Sequence, residues 1–202
     1  MTNPKRQATK KARVALYGGA FDPVHRAHLE AARAARRQAS LDQLLFIPAA
    51  RSPLKAHGPV AGDGERLAML ALAVGGEPGF KVDDSEIRRG GTSYTVDTIR
   101  AYRERFPEVA IFWIIGADQL GQLQRWRRIE TLARMVEFLV LARPGYALSA
   151  PDIPGLSWKK VEAPLMEESS SRIRQLIAAD QSVKGLLPES VEAFIHEKGL
   201  YS

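Results

Sequence analysis

Apolar and polar positions alternate along this chain in blocks, and each block reads as one element. Arg13 to Tyr17 is a short apolar run that ends in Gly18-Gly19, the pattern of a buried strand. A turn over 18–23 follows. From about His25 the apolar spacing becomes helical, with Leu29, Ala32 and Ala35 on one face down to Gln38. Asp42 to Pro48 reads as a second strand, and 49–64 as a long loop carrying Pro53 and Pro59. Gly64 to Val74 reads as an amphipathic helix with Leu67, Leu70 and Leu72 as its apolar groups, ended by Gly75-Gly76. Phe80 to Val82 is a short strand. After a Gly90-Gly91 turn, a helix is expected from Tyr94 to Arg105, with Thr92 or Ser93 as its cap.

Val109 to Ile115 is a continuous apolar, largely β-branched or aromatic run, which predicts a central parallel strand buried on both faces. A short helix over 119–122 and a longer one over 127–135 precede a strand at 137–142. A loop over 147–157 leads to a last strand at 158–161. Helices over about 169–179 and 189–198 close the chain. Strands alternating with helices predict an α/β fold built on a doubly wound parallel sheet.

Composition narrows this picture. With 202 residues, 45% hydrophobic and 26% charged, 13–202 reads as one globular domain. The formal net charge of +6 invites a nucleic-acid reading. Its distribution argues against one: Lys5, Arg6, Lys10, Lys11 and Arg13 carry most of the excess, and no acid lies among the first 13 residues. Residues 1–12 therefore read as a basic, solvated, disordered tail on a nearly neutral domain. There is no cysteine, so disulfides, thiolate nucleophiles and cysteine-bound zinc are excluded. No apolar run is long enough to span a bilayer and no signal peptide is visible, so no membrane partner and a cytoplasmic location are expected. The sequence leaves oligomeric state open.

Candidate chemistry gathers where strands end. Glycines after the first strand admit close approach of a ligand to the backbone, and the next helix N-terminus suits phosphate. His25 and His28, three apart, share one helix face and can donate to a phosphate chain. The same HxxH spacing also suits a structural or metal pair. The glycine spacing is neither GxGxxG nor GxxxxGK[ST]. Asp118, after the central strand, has the address of a ribose ligand and equally of a helix cap. Lys55 reads as a phosphate contact or a solvated lysine, and Trp126 alone reads as core. Ser169-Ser170-Ser171 open a helix that carries Arg174, a combination suited to clamping phosphate oxygens.

Six stretches together carry a resemblance. They are GGAFDPVHRAHL (18–29), SPLK (52–55), EIRRGGTSYTVDT (86–98), GADQLGQLQRW (116–126), RPGY (143–146) and SSSRIR (169–174). In this order they resemble the bacterial nicotinate-nucleotide adenylyltransferases of the HxGH nucleotidyltransferase superfamily. Ala27 stands where that pattern has glycine, Leu54 where it has histidine, and Glu168 where it has isoleucine.

The resemblance implies a Rossmann-like nucleotidyltransferase fold. It also implies transfer of AMP from ATP to nicotinate mononucleotide, giving deamido-NAD and pyrophosphate, with nicotinamide mononucleotide or phosphopantetheine as the alternative acceptor. It implies His25, His28 and Arg174 as catalytic. ATP would be bound by these with Gly18, Gly19, Ala20, Phe21, Lys55, Gly116, Asp118, Arg143, Ser170 and Ser171. Ser93, Tyr94, Thr95 and Trp126 would hold the nicotinate nucleotide. The attacking phosphate is already ionised, so positioning and charge neutralisation suffice. No carboxylate cluster for a resident metal is evident, so Mg²⁺ is expected to arrive with ATP.

Overall fold

The computed structural model describes residues 11–54, 57–142, 145, 148–164 and 168–202. Six strands form one sheet: β1 (Arg13–Gly19), β2 (Gln43–Pro48), β3 (Phe80–Val82), β4 (Ala110–Gly116), β5 (Glu137–Leu141) and β6 (Ser157–Val161). Their order is β3-β2-β1-β4-β5-β6, and every pairing is parallel. This is the doubly wound arrangement the alternating pattern predicts. The strand order reverses between β1 and β4, where the crevice of an open α/β sheet lies.

The side-chain period of two sorts the core into two halves. On β4, Phe112 and Ile114 face one apolar cluster, while Ile111, Trp113 and Ile115 face the other. Helices α1 (Arg26–Gln38), α2 (Asp63–Val74), α7 (Ser170–Ala178) and α8 (Glu189–Lys198) supply the first cluster through Leu29, Met69, Ile173 and Val191. Helices α4 (Thr95–Arg105) and α6 (Ile129–Ala133) supply the second through Val96, Ile99 and Leu132. Two further short helices, α3 (Ser85–Arg89) and α5 (Ala117–Leu120), and a 3-10 turn at Leu123–Arg125 lie in the connections.

Several expectations shift. The first strand continues through both glycines instead of stopping at Tyr17. Segment 85–89, read only as part of a motif, is a helix ended by Gly90 at φ 69°. The inward face of α2 includes Arg66, fully buried, with Met69 and Leu70, whereas Leu72 is 42% exposed. The buried guanidinium explains that rotation: it donates to the Ala20 carbonyl at 2.8 Å and to Asp63 at 2.5 Å, so it turns toward the end of β1. The helix over 94–105 is capped by Tyr94 in extended backbone and not by a Thr92 or Ser93 hydroxyl. Among the described residues no helix is long and apolar enough to cross a membrane.

Candidate active site

Of the glycines that end β1, Gly18 is required by the protein's own packing and Gly19 is tightly fitted. A Cβ on Gly18 would lie 2.5 Å from Cζ2 of Trp113, and one on Gly19 would lie 3.0 Å from the Phe21 ring. The absent side chains thus let β4 and the turn close against the strand end. Phe21 (φ 48°) is 2% exposed and packs edge-on against Tyr17, Phe46 and His28. The Asp22–Pro23 peptide is cis.

Asp22 and Pro23 suit a helix start in sequence, yet α1 begins at Arg26 with His25 as its cap residue. Asp22 instead gathers loops. Its carboxylate accepts from Val60 N–H (2.7 Å), Ala61 N–H (3.0 Å) and the Tyr201 hydroxyl (2.8 Å). Its carbonyl accepts from Arg174 at 2.6 Å. Burial and the Asp22 hydrogen bond push the Tyr201 phenol above its ordinary range.

Two cavities of about 440 Å³ each open on the two sides of this turn. Both touch Ala20, Ala49 and Ser52, so they adjoin. The first is lined by Gly18, Gly19, Ala20, Ser93, Tyr94, Thr95 and Trp126 of the expected residues. It adds Glu86, Trp113, Gln119, Arg125 and Arg127. Trp126 lies edge-on to Phe138, with ring centroids 6.3 Å apart, and its indole Nε1 has no hydrogen-bond partner among the described residues. The Arg127 guanidinium sits 4.5 Å over the Tyr94 ring.

Ser93 ties two loops together by accepting from Ala50 N–H at 3.1 Å and bonding the Glu86 carboxyl. Glu86 is 3% exposed and also accepts from Thr98 at 2.5 Å. Burial pushes this carboxyl above the usual glutamate range, against the hydrogen bonds of Thr98 and Ser93 and the charge of Arg89.

The second cavity is lined by Ala20, His25, His28, Ser170, Ser171 and Arg174 of the expected residues, with Asp22, His57 and Glu168 added. The imidazoles of His25 and His28 stack at 3.7 Å. His25 N–H donates to Nδ1 of His28 at 3.3 Å, so a neutral His28 carries its proton on Nε2. Ser169 caps α7 by accepting from Arg172 N–H. The Ser170 hydroxyl donates to the Pro23 carbonyl at 2.9 Å. Arg174 also approaches the Asp22 carboxylate (3.5 Å) and the Ser171 hydroxyl (3.4 Å). The α7 N-terminus is thereby bolted to the turn after β1. Together these groups make a polar hollow of imidazoles, hydroxyls and one guanidinium, chemistry suited to a phosphate chain.

Gly116 and Asp118 lie at the carboxyl end of β4, as expected, but line neither cavity. Gly116 caps α5, so Asp118 is not the cap; it sits half-buried in the first turn. Lys55 and Arg143 lie outside the described residues, as do residues 1–10 of the expected tail.

Asp22, His57 and Glu86 escaped assignment from sequence. Asp22 and Glu86 stand inside the quoted motifs. His57 stands two places after Lys55, in the loop that lacks a histidine at 54. Leu54 itself lines the first cavity.

Comparison with known proteins gives the family and the fold. Residues 16–176 match the cytidylyltransferase-like family. A probable nicotinate-nucleotide adenylyltransferase of Opitutus terrae is 42% identical over 190 residues, covering 94% of this chain and 97% of that protein. One from Bordetella avium is 43% identical, covering 94% and 98%. A solved Plasmodium falciparum nicotinic acid mononucleotide adenylyltransferase, complexed with NaAD, superposes with a TM-score of 0.79 at 16% identity, over 94% of this chain and 97% of that one, and so shares the fold. The chain therefore belongs to the cytidylyltransferase-like nucleotidyltransferases and, among them, to the nicotinate-nucleotide adenylyltransferase family.

Proposed function

We propose that this protein transfers the adenylyl group of ATP to nicotinate mononucleotide, releasing pyrophosphate and nicotinate adenine dinucleotide. The observation that carries the reading is the pair of adjoining cavities at the β1/β4 switch. One is lined by aromatic and small groups together with Glu86, Arg125 and Arg127, the other by imidazoles, hydroxyls, the Arg174 guanidinium and the carboxylates of Asp22 and Glu168. A dinucleotide product needs both, with its pyrophosphate bridge at the shared turn around Ala20.

In the reaction, a phosphate oxygen of the mononucleotide forms a bond to the α-phosphorus of ATP as the bond to the pyrophosphate oxygen breaks. The attacking oxygen is already ionised, so no base must remove a proton. His25, His28 and Arg174 hold the reacting phosphates in line and offset the charge that develops on them. Ser170 and Ser171, at the start of α7, line the same hollow. Tyr94 and Trp126 offer aromatic surface to the pyridine ring.

A divalent cation, Mg²⁺, fits this donor set as a companion of the triphosphate. Among the described residues no cluster of three or more metal-ligating side chains could hold it alone, and one buried carboxylate oxygen, Glu168 Oε2, stands without a partner in the wall of the phosphate cavity. When bound it supplies further neutralisation of phosphate charge. The mononucleotide enters the first cavity and ATP the second, and the protein works in the cytoplasm.

Pyrophosphate release, measured with ATP and Mg²⁺, tests the reading. Nicotinate mononucleotide, nicotinamide mononucleotide and phosphopantetheine serve as parallel acceptors. Release with the first alone, or strongly preferred, is expected. Preference for another acceptor would refute the pocket assignment, and no release with any would refute adenylyl transfer. His25→Ala and His28→Ala should lower turnover more than ATP affinity. Turnover within threefold of wild type, about 0.65 kcal/mol on the barrier, would remove both from the chemistry.

A further inference from the structure

Glu168 stands in an unusual place for a carboxylate. It lines the cavity assigned to the phosphates, beside Ser169, His57 and Arg174. Its Oε2 is sealed from solvent and has no hydrogen-bond partner among the described residues. No described ion pair includes it. The guanidinium that lines the cavity, Arg174, is committed to the Asp22 carbonyl and carboxylate and to the Ser171 hydroxyl. Asp22, the other carboxylate there, is saturated by Val60, Ala61 and Tyr201. The related pattern has isoleucine at this position, so the anion is a departure.

A carboxylate oxygen sealed without a partner is costly, and a polyanion brought beside it raises that cost by like-charge repulsion. A divalent cation reverses both effects. Mg²⁺ is held through one or two carboxylates together with substrate phosphates, keeping several waters.

We propose that the Glu168 carboxylate is a ligand, direct or through one water, of the divalent cation that accompanies the triphosphate. The inference rests on the adenylyl-transfer reading. It makes ATP recognition in this chain more metal-dependent than isoleucine at 168 would. Because Ser169 rather than Glu168 caps α7, replacing Glu168 leaves the cap in place.

The test is calorimetric titration of ATP, without acceptor, into wild type, Glu168→Gln and Glu168→Ile. Each protein is titrated once in chelator and once in saturating Mg²⁺. Circular dichroism confirms that all three are folded. Wild type should bind Mg·ATP more tightly than metal-free ATP. Both variants should lose at least fivefold of that preference, through weaker binding of Mg·ATP and equal or tighter binding of metal-free ATP. A second readout uses Mn²⁺·ATP: the water-proton relaxation of the bound complex should differ between wild type and Glu168→Gln, because a water replaces or moves with the lost ligand.

An unchanged preference would overturn the proposal. So would tighter binding of metal-free ATP with Mg·ATP unaltered, since Glu168 would then be only a repulsive charge. If wild type bound ATP in neither condition, the adenylyl-transfer reading itself would fall, which separates the two failures.

Discussion

Replacing Gly18 with alanine tests the packing that brings the two cavities together. The new Cβ would sit 2.5 Å from Cζ2 and 2.8 Å from Cη2 of Trp113. Ordinary contact between carbons is about 3.5–4.0 Å, so the ring must retreat by about 1 Å. It has little room: Trp113 is 4% exposed and packed among Leu16, Ile47, Val96 and Ile99. Overpacking of this kind costs about 1–3 kcal/mol. Removing a strand glycine returns about 0.5–1 kcal/mol of backbone entropy. The balance centres on a loss of about 1 kcal/mol and reaches about 2.5 kcal/mol, or up to about 10 °C in melting temperature for a chain of this size. Urea unfolding followed by tryptophan fluorescence measures it.

A Trp113→Phe background sharpens the test. The smaller ring vacates the colliding atoms, so Gly18→Ala should cost at least about 1 kcal/mol less there than in wild type. Additivity within about 0.5 kcal/mol would refute the packing argument. So would an unchanged unfolding midpoint with weakened substrate binding, because the glycine would then serve the ligand and not the protein.

Three further outcomes are expected. Trp126→Ala should raise KM for nicotinate mononucleotide and leave KM for ATP near wild type; an unchanged KM for nicotinate mononucleotide would return Trp126 to the core beside Phe138. Tyr201→Phe removes the 2.8 Å bond to Asp22 and should lower unfolding stability by about 1–3 kcal/mol, with a midpoint at the wild-type value counting against any bracing role for the C-terminal segment. The Glu86 carboxyl should titrate above the ordinary glutamate value in a carbon-detected NMR titration, because burial outweighs its hydrogen bonds. A folded-state pKa raised above the unfolded one makes its contribution full below the unfolded pKa and lost as pH rises through the folded value, so wild type should lose stability relative to Glu86→Gln over that interval. A difference that moved the other way with pH would show the hydrogen bonds to dominate.

The chain's own pattern was enough for the fold, because its signals are local. The apolar run at 109–115 could only be a strand buried on both faces, and it is β4 at the centre of the sheet. Alternation of strand and helix dictated parallel pairing, and the run Ser169-Ser170-Ser171 marked the start of α7, which Ser169 caps. His25, His28, Ser170, Ser171 and Arg174 were singled out from residue type and spacing, and the tertiary structure brings all five into the lining of one cavity. What the sequence left undecided depends on contacts between distant segments. Asp22 reads locally as a helix starter, yet bonds to residues 38 to 179 positions away make it the knot of the turn. Arg66 was no part of the apolar face read for α2, yet it is fully buried, its two terminal nitrogens donating to the Ala20 carbonyl and Asp63. Gly18 reads as an opening for a ligand, while its missing side chain is the space Trp113 fills. Local propensity fixes periodicity and caps, whereas the direction of a buried polar side chain is set by partners the chain brings up only on folding.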